Sequence, residues 1–237
     1  MKQKVKIVEV GLRDGLQNES TILSIEQRFH LLKQLLDAGV KNFEIGAYVS
    51  PKWVPQMAGT DQLVKKYLHS IPASDLKKIN ASVLVPNELG VLKAIESGVK
   101  EVAVFISSTE TFSQKNINCS IAESLLRVKS VMALAKKNKI KVRGYLSACF
   151  GCPFEGEVSE SKVVELAKTL YKMGCYEVSI GDTIGVANPA QVERIFKKLK
   201  KVIPAAKLAG HFHDTRGLAL TNILTAYKIG IKIFDSS

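Results

Sequence analysis

A chain of 237 residues with 46% apolar side chains can bury a large core, and its composition is neither fibrous nor disordered. No stretch approaches the ~18 consecutive apolar residues of a membrane span, and the opening MKQKVKIVEV enters a strand-like run without a secretory or transit signature, so a cytoplasmic location and no membrane partner are expected. The net charge of +12 raises nucleic acid as a partner, but KKNKIK (136–141) and KKLKK (197–201) end amphipathic helical patterns, where lysines suit the helix dipole. No nucleic-acid-binding motif accompanies them, so nucleic acid is not an expected partner, and a phosphate-bearing small molecule fits the charge as well. Cys119, Cys149, Cys152 and Cys175 are read as reduced thiols, because a chain of this size needs no disulfide staples. The one C-x-x-C, Cys149 and Cys152, lacks the second pair of a zinc ribbon, and a thioredoxin-like role for it is the weaker reading.

Strand-like and helix-like segments alternate along the chain. KIVEV (6–10) is the first strand candidate and runs into GLRDGLQNE (11–19). Ser24 and Gln27 form a capping-box pattern before a helix whose apolar face is Ile25, Phe29, Leu32 and Leu36, with Gly39 as its stop. NFEIGAY (42–48) is the second strand and carries Glu44 inside an apolar run; ASVLVP (81–86) and EVAVFIS (101–107) follow, with Gly98 ending the helix between them. Ser120 and Glu123 repeat the capping box ahead of Leu125, Val128 and Met132. VRGYLSA (142–148) leads into SACFGCPFEG (147–156), and Gly174 stops the next helix before YEVSIGD (176–182). Asn188–Pro189 opens a further helix, since proline tolerates the first helical position. LAGHFHD (208–214), a helix stopped by Gly230, and IKIFDSS (231–237) complete the series. The strands are short, β-branched and nearly continuously apolar, as buried parallel strands are. Eight such units in 237 residues favour an α/β fold of the closed (β/α)8 TIM-barrel type over an open doubly wound sheet, with one domain over 1–237.

A barrel places its functional residues at the C-terminal strand ends. Arg13 and Asp14 fall at the first strand's tip, Asp182 at the sixth, and His211, His213 and Asp214 at the seventh. Residues i and i+2 of a strand share a face, so His211 and His213 project together, and Asp14 completes a three-ligand set for a divalent cation such as Mg²⁺, Mn²⁺ or Zn²⁺. The bland alternatives stay open: two satisfied core histidines, an Arg13–Asp14 ion pair, Glu44 as a buried partner of Arg13, Asp182 as a loop cap, Cys152 as packing, and Asp214 as support for the strand end.

These residues carry a resemblance. GLRDGLQ (11–17) and HFHDTRG (211–217) are similar to marks of the metal-dependent barrel superfamily that includes isopropylmalate and homocitrate synthases. FEIGAYVSPKWVPQM (43–57), KNINCSIAES (115–124), GCPFEG (151–156) and GCYEVSIGDTIGVANP (174–189) resemble the hydroxymethylglutaryl-CoA lyases within it. The resemblance runs from residue 4 to the last residue. It implies cleavage of 3-hydroxy-3-methylglutaryl-CoA to acetyl-CoA and acetoacetate, a place in leucine catabolism, a divalent metal (Mg²⁺ or Mn²⁺) and an acyl-CoA substrate, and it admits a homodimer. It implies Asp14, His211 and His213 as metal ligands, Arg13, Glu44, Asp182 and His211 as catalytic residues, and Arg13 and Gln17 as substrate contacts. The family pattern continues beyond strand eight with a glycine-rich loop carrying a catalytic cysteine, an asparagine ligand and further helices. The sequence stops at FDSS, so a barrel truncated after strand eight is expected. The rival readings are a related CoA-dependent synthase or aldolase, and an inactive fragment that binds acyl-CoA or metal.

Overall fold

In the computed structural model, which describes residues 4–237, eight parallel strands close into a barrel in sequence order. They are β1 (Lys6–Glu9), β2 (Asn42–Ala47), β3 (Asn80–Leu84), β4 (Glu101–Ser107), β5 (Lys141–Ser147), β6 (Glu177–Asp182), β7 (Leu208–Phe212) and β8 (Ile233–Ser236). The expected barrel is therefore present, with strand boundaries displaced by a residue or two. Closure runs through β1 and β8, in register from Lys6 opposite Ile233 to Glu9 opposite Ser236. The helices are α1 (Ile25–Asp37), α2 (Thr60–Ser70), α3 (Ala73–Leu76), α4 (Glu88–Ser97), α5 (Glu110–Ile117), α6 (Ile121–Lys137), α7 (Glu160–Met173), α8 (Pro189–Leu199) and α9 (Ala219–Lys228). No helix among the described residues is long and apolar enough to cross a membrane.

Local chemistry sets the helix starts. Ser24 Oγ accepts from the Gln27 amide at 3.2 Å while Gln27 Oε1 accepts from the Ser24 amide at 2.8 Å, and the Ser120–Glu123 and Asn188–Gln191 pairs repeat the exchange. Such a cap stabilises a helix by about 1 kcal/mol. Gly98 and Gly174 end α4 and α7 with φ of 86° and 108°, in the left-handed region where a side chain is strained.

The strands are two-faced rather than uniformly apolar. Val83, Val104, Leu146, Val178 and Ile180 face outward and join Leu32, Leu63, Val131, Leu166 and Phe196 of the helices in the main core. The alternate residues face inward. Arg143 of β5 reaches Asp235 of β8, and Tyr145 of β5 reaches Glu44 of β2; strands that are not neighbours can share such contacts only through the barrel interior. Val8, Val10, Ala209 and Ile233 form a small apolar plug. Leu84, Ala103 and Tyr145 form a second apolar cluster with Ala47 and Met57, and buried charged side chains (Glu44, Arg143, Glu177 and Asp235) fill the rest of the interior, which departs from the branched aliphatic filling usual in such barrels. On the outside, Val5 and Ile7 beside β8, and Leu220 and Leu224 on α9, are exposed.

Candidate active site

The chain leaves β1 through one π-helical turn, Gly11–Gly15. This wide turn, of a kind found often at functional sites, brings Asp14 over the barrel mouth, with its amide donating to Val10 O at 2.6 Å. His211 lies in β7, and His213 sits one residue beyond its end. The strand alternation persists past that end, because His211 Nε2 and His213 Nε2 lie 3.1 Å apart. Asp14 Oδ2 is 3.4 Å from the first and 3.5 Å from the second. One ligand atom from each of the three residues falls within 4.8 Å of the others. Two imidazole nitrogens and a carboxylate oxygen converging on one point fit a divalent cation, and they leave coordination positions for substrate or water. A cavity of about 310 Å³ opens over them, bordered by Val10, Asn18, Asp214 and Ser236.

Arg13 lies against this set, its side chain 9% exposed. Its Nε donates to Glu44 Oε1 and its Nη1 to Asp14 Oδ1, each at 2.5 Å. Nη2 has no protein partner among the described residues. Behind Arg13 the hydrogen bonds continue. Tyr145 OH donates to Glu44 Oε2. Arg143 Nη1 donates to Tyr145 OH at 2.8 Å and its Nη2 to Asp235 Oδ1 at 2.7 Å. Asp235 Oδ2 lies 3.0 Å from His211 Nδ1, which returns the path to the Asp14–His211–His213 set. Asp14, Arg13, Glu44, Tyr145, Arg143, Asp235 and His211 thus form one closed circuit of polar contacts across the interior.

The circuit sets the charges. Burial alone would raise the Asp14 and Asp235 carboxyls, but bonding to His211 and the nearby guanidiniums hold both well below the usual carboxylate range. Burial would lower His211, yet the two carboxylates that flank it prevail and push it up to about 9. His213 goes the other way, lowered by burial and by the neighbouring His211. The pair is split, one imidazole proton-rich and the other proton-poor, as acid–base sites arrange their groups.

The HMGL-like family model matches residues 4–237. The chain belongs to the HMGL-like family. It is 46% identical over 235 residues to the hydroxymethylglutaryl-CoA lyase of Pseudomonas mevalonii, covering 99% of this chain and 76% of that one. Against the mitochondrial hydroxymethylglutaryl-CoA lyase of Rattus norvegicus the identity is also 46%, over all of this chain and 71% of the relative. The crystal structure of hydroxymethylglutaryl-CoA lyase from Pseudomonas aeruginosa superposes with a TM-score of 0.93 at 46% identity, over 99% of this chain and 76% of that chain. A lyase from Acinetobacter baumannii, solved with coenzyme A and 3-methylmalate, gives 0.92 at 34% identity over 98% of this chain and 74% of that chain.

Within this HMGL-like barrel the remaining sequence candidates fall as follows. Both carboxylate oxygens of Asp182 accept amides of its own loop, from Val186 at 2.9 Å and Ala187 at 3.0 Å. Asp182 is paired in register with Phe212, on the opposite parity from His211, so its carboxylate is not part of the circuit. Gln17 sits half-buried just beyond the π turn. Asp214 Oδ1 accepts the Ala219 amide at 2.8 Å and so anchors the start of α9. Cys152 Sγ accepts from Thr109 Oγ1 at 3.2 Å inside the GCPFEG loop. All four cysteines are free and buried. Sequence reasoning missed Arg143, Tyr145 and Asp235. Their signal was there: an arginine in an apolar strand (Val142, Gly144) and an aspartate after Phe234, since charged residues are rarely buried without partners.

Proposed function

We propose that this protein is a divalent-metal-dependent lyase that cleaves 3-hydroxy-3-methylglutaryl-CoA to acetyl-CoA and acetoacetate. The observation that carries the reading is the convergence of Asp14, His211 and His213 beside the free edge of Arg13. Family membership and the lyase relatives support the same substrate. A divalent cation held by the three ligands would lower the pKa of a hydroxyl bound to it.

The reaction needs the tertiary hydroxyl of the substrate to lose its proton as a carbonyl forms at that carbon. The bond to the adjacent CH₂ then breaks, and its electron pair becomes the enolate of acetyl-CoA. Returning a proton to that carbon gives acetyl-CoA, so no net proton is consumed. Arg13 Nη2 is free to donate to the enolate oxygen, and the bonds to Glu44 and Asp14 hold its plane in place. His211 would hold the cation through Nε2 while its Nδ1 donates to Asp235, which leaves neither ring nitrogen to act as base, so the hydroxyl's proton passes to solvent water in the open mouth. Glu44 orients Arg13. Asp182 holds the βα loop beside the site, and Gln17 contacts substrate.

Mg²⁺ or Mn²⁺ is proposed from the lyase resemblance; the donor set of two imidazole nitrogens and one carboxylate also admits Zn²⁺. Buried free thiols and a cytoplasmic rat relative, 45% identical, support work in the cytoplasm. The exposed Val5, Ile7, Leu220 and Leu224 support association into a homodimer. The test is incubation of the purified protein with Mg²⁺ or Mn²⁺ and 3-hydroxy-3-methylglutaryl-CoA, with acetoacetate measured directly. Cation-dependent acetoacetate without any added 2-oxo acid is expected. A requirement for a 2-oxo acid would assign the chain to synthase chemistry instead.

A further inference from the structure

We infer that Asp235 is the positioning residue of His211, fixing its proton on Nδ1 so that Nε2 is left bare toward Asp14 and His213. The inference rests on the reading of those residues as metal ligands, because only a bare nitrogen can ligate.

The geometry leaves one arrangement. Asp235 has a side chain 1% exposed, on β8 inside the barrel. Its Oδ1 accepts from Arg143 Nη2 at 2.7 Å, and its Oδ2 accepts from Ser179 Oγ at 2.8 Å and faces His211 Nδ1 at 3.0 Å. Arg143 is charged at any ordinary pH, so the carboxylate against it is ionised and can only accept. Nδ1 must therefore be the donor. The neutral ring then carries its lone pair on Nε2, the atom 3.1 Å from His213 Nε2 and 3.4 Å from Asp14 Oδ2.

Asp235 cannot turn away. Arg143 is itself pinned by Glu177 Oε1 at 2.6 Å and by Tyr145 OH at 2.8 Å. The edge-to-face contact of the Tyr145 and His211 rings, 6.2 Å between centroids, limits the imidazole from another side. A histidine at a strand end would otherwise sample both tautomers and several ring angles.

Asp235→Asn tests this because it keeps the shape and changes the polarity. Arg143 only donates, so the amide oxygen turns to it and the amide NH₂ faces Ser179 and His211. Nδ1 must then accept, and the ring proton moves to Nε2, the wrong atom for a ligand. Long-range ¹H–¹⁵N NMR of the metal-free protein, at a pH where the ring is neutral, reads the tautomer directly. Calorimetry with Mn²⁺ reads the consequence. The expected result is a bare Nε2 in the parent, a protonated Nε2 in Asp235→Asn, and Mn²⁺ binding weakened by about 10–100-fold, as when the hydrogen-bond partner of a ligating histidine is lost. A bare Nδ1 in the parent overturns the inference without any variant, which covers the case where Asp235→Asn does not fold. So does a variant that keeps the parent tautomer and binds Mn²⁺ within about threefold of it, well inside that range. His211→Ala separates the two readings: unchanged Mn²⁺ affinity there overturns the metal assignment itself, and with it the purpose assigned to Asp235.

Discussion

Replacing Arg143 by methionine removes the guanidinium that ties three strands together inside the barrel. Its Nε meets Glu177 at 2.6 Å, its Nη2 meets Asp235 at 2.7 Å and its Nη1 meets Tyr145 at 2.8 Å, with the side chain 1% exposed. Glu177 keeps a second partner in Lys6 Nζ at 3.0 Å, and Asp235 keeps Ser179 and His211. About one carboxylate's charge is left uncompensated. Removing one partner of a buried pair costs about 3–5 kcal/mol. For a chain of this size each kcal/mol lowers Tm by roughly 2–4 °C, so a fall of about 6–20 °C is expected. The effect should depend on pH with a definite sign. In the parent, burial opposes ionisation of Asp235, but Arg143 and His211 hold its carboxyl below the usual range. Its contribution is therefore present above its unfolded value of about 3.9 and is lost as pH falls through the folded one. Methionine raises the folded value, so the contribution shrinks at neutral pH and parent and variant converge below about pH 4. Thermal unfolding of the metal-free protein followed by circular dichroism across this range is the measurement. A loss of less than about 3 °C at neutral pH, or a gap that widens in acid, would refute the reasoning.

His213→Ala should weaken Mn²⁺ binding by at least about tenfold, since it deletes a ligand rather than a ligand's support, and calorimetry showing parent affinity would remove His213 from the site. Arg13→Lys should retain the fold and lower the cleavage rate by about 10²–10³, because the ammonium cannot reproduce the planar fork aimed at the enolate; a near-normal kcat would contradict that role. His211, held up to about 9 in the fold, contributes stability that is complete below its unfolded value of about 6.5 and is lost as pH rises through the folded value. The metal-free Tm should accordingly fall across that interval, which scanning calorimetry at stepped pH reads; a flat or rising profile would contradict it. Mn²⁺ binding near neutral pH should release about one proton as it displaces the one on His211, measurable as a buffer-dependent binding enthalpy.

Much of the fold could be read in advance because its determinants are local. The capping boxes at Ser24, Ser120 and Asn188 and the left-handed glycines at 98 and 174 act within a few residues, so they are readable from spacing alone. The alternation of strands and helices then leaves few topologies, of which the barrel is one. The pairing of His211 with His213 was also legible, because the strand period of two holds even where the ladder ends. Asp14 joined them only as a strand-tip residue; the π turn that aims it has no sequence signal comparable to a cap. The polar circuit was not legible. Arg143, Tyr145, Glu44 and Asp235 stand on strands five, two and eight, and no periodicity along one segment relates them. Only closure of the sheet brings these inward faces within hydrogen-bond reach. It is closure, too, that places Asp235 behind His211 and sets which imidazole nitrogen faces Asp14.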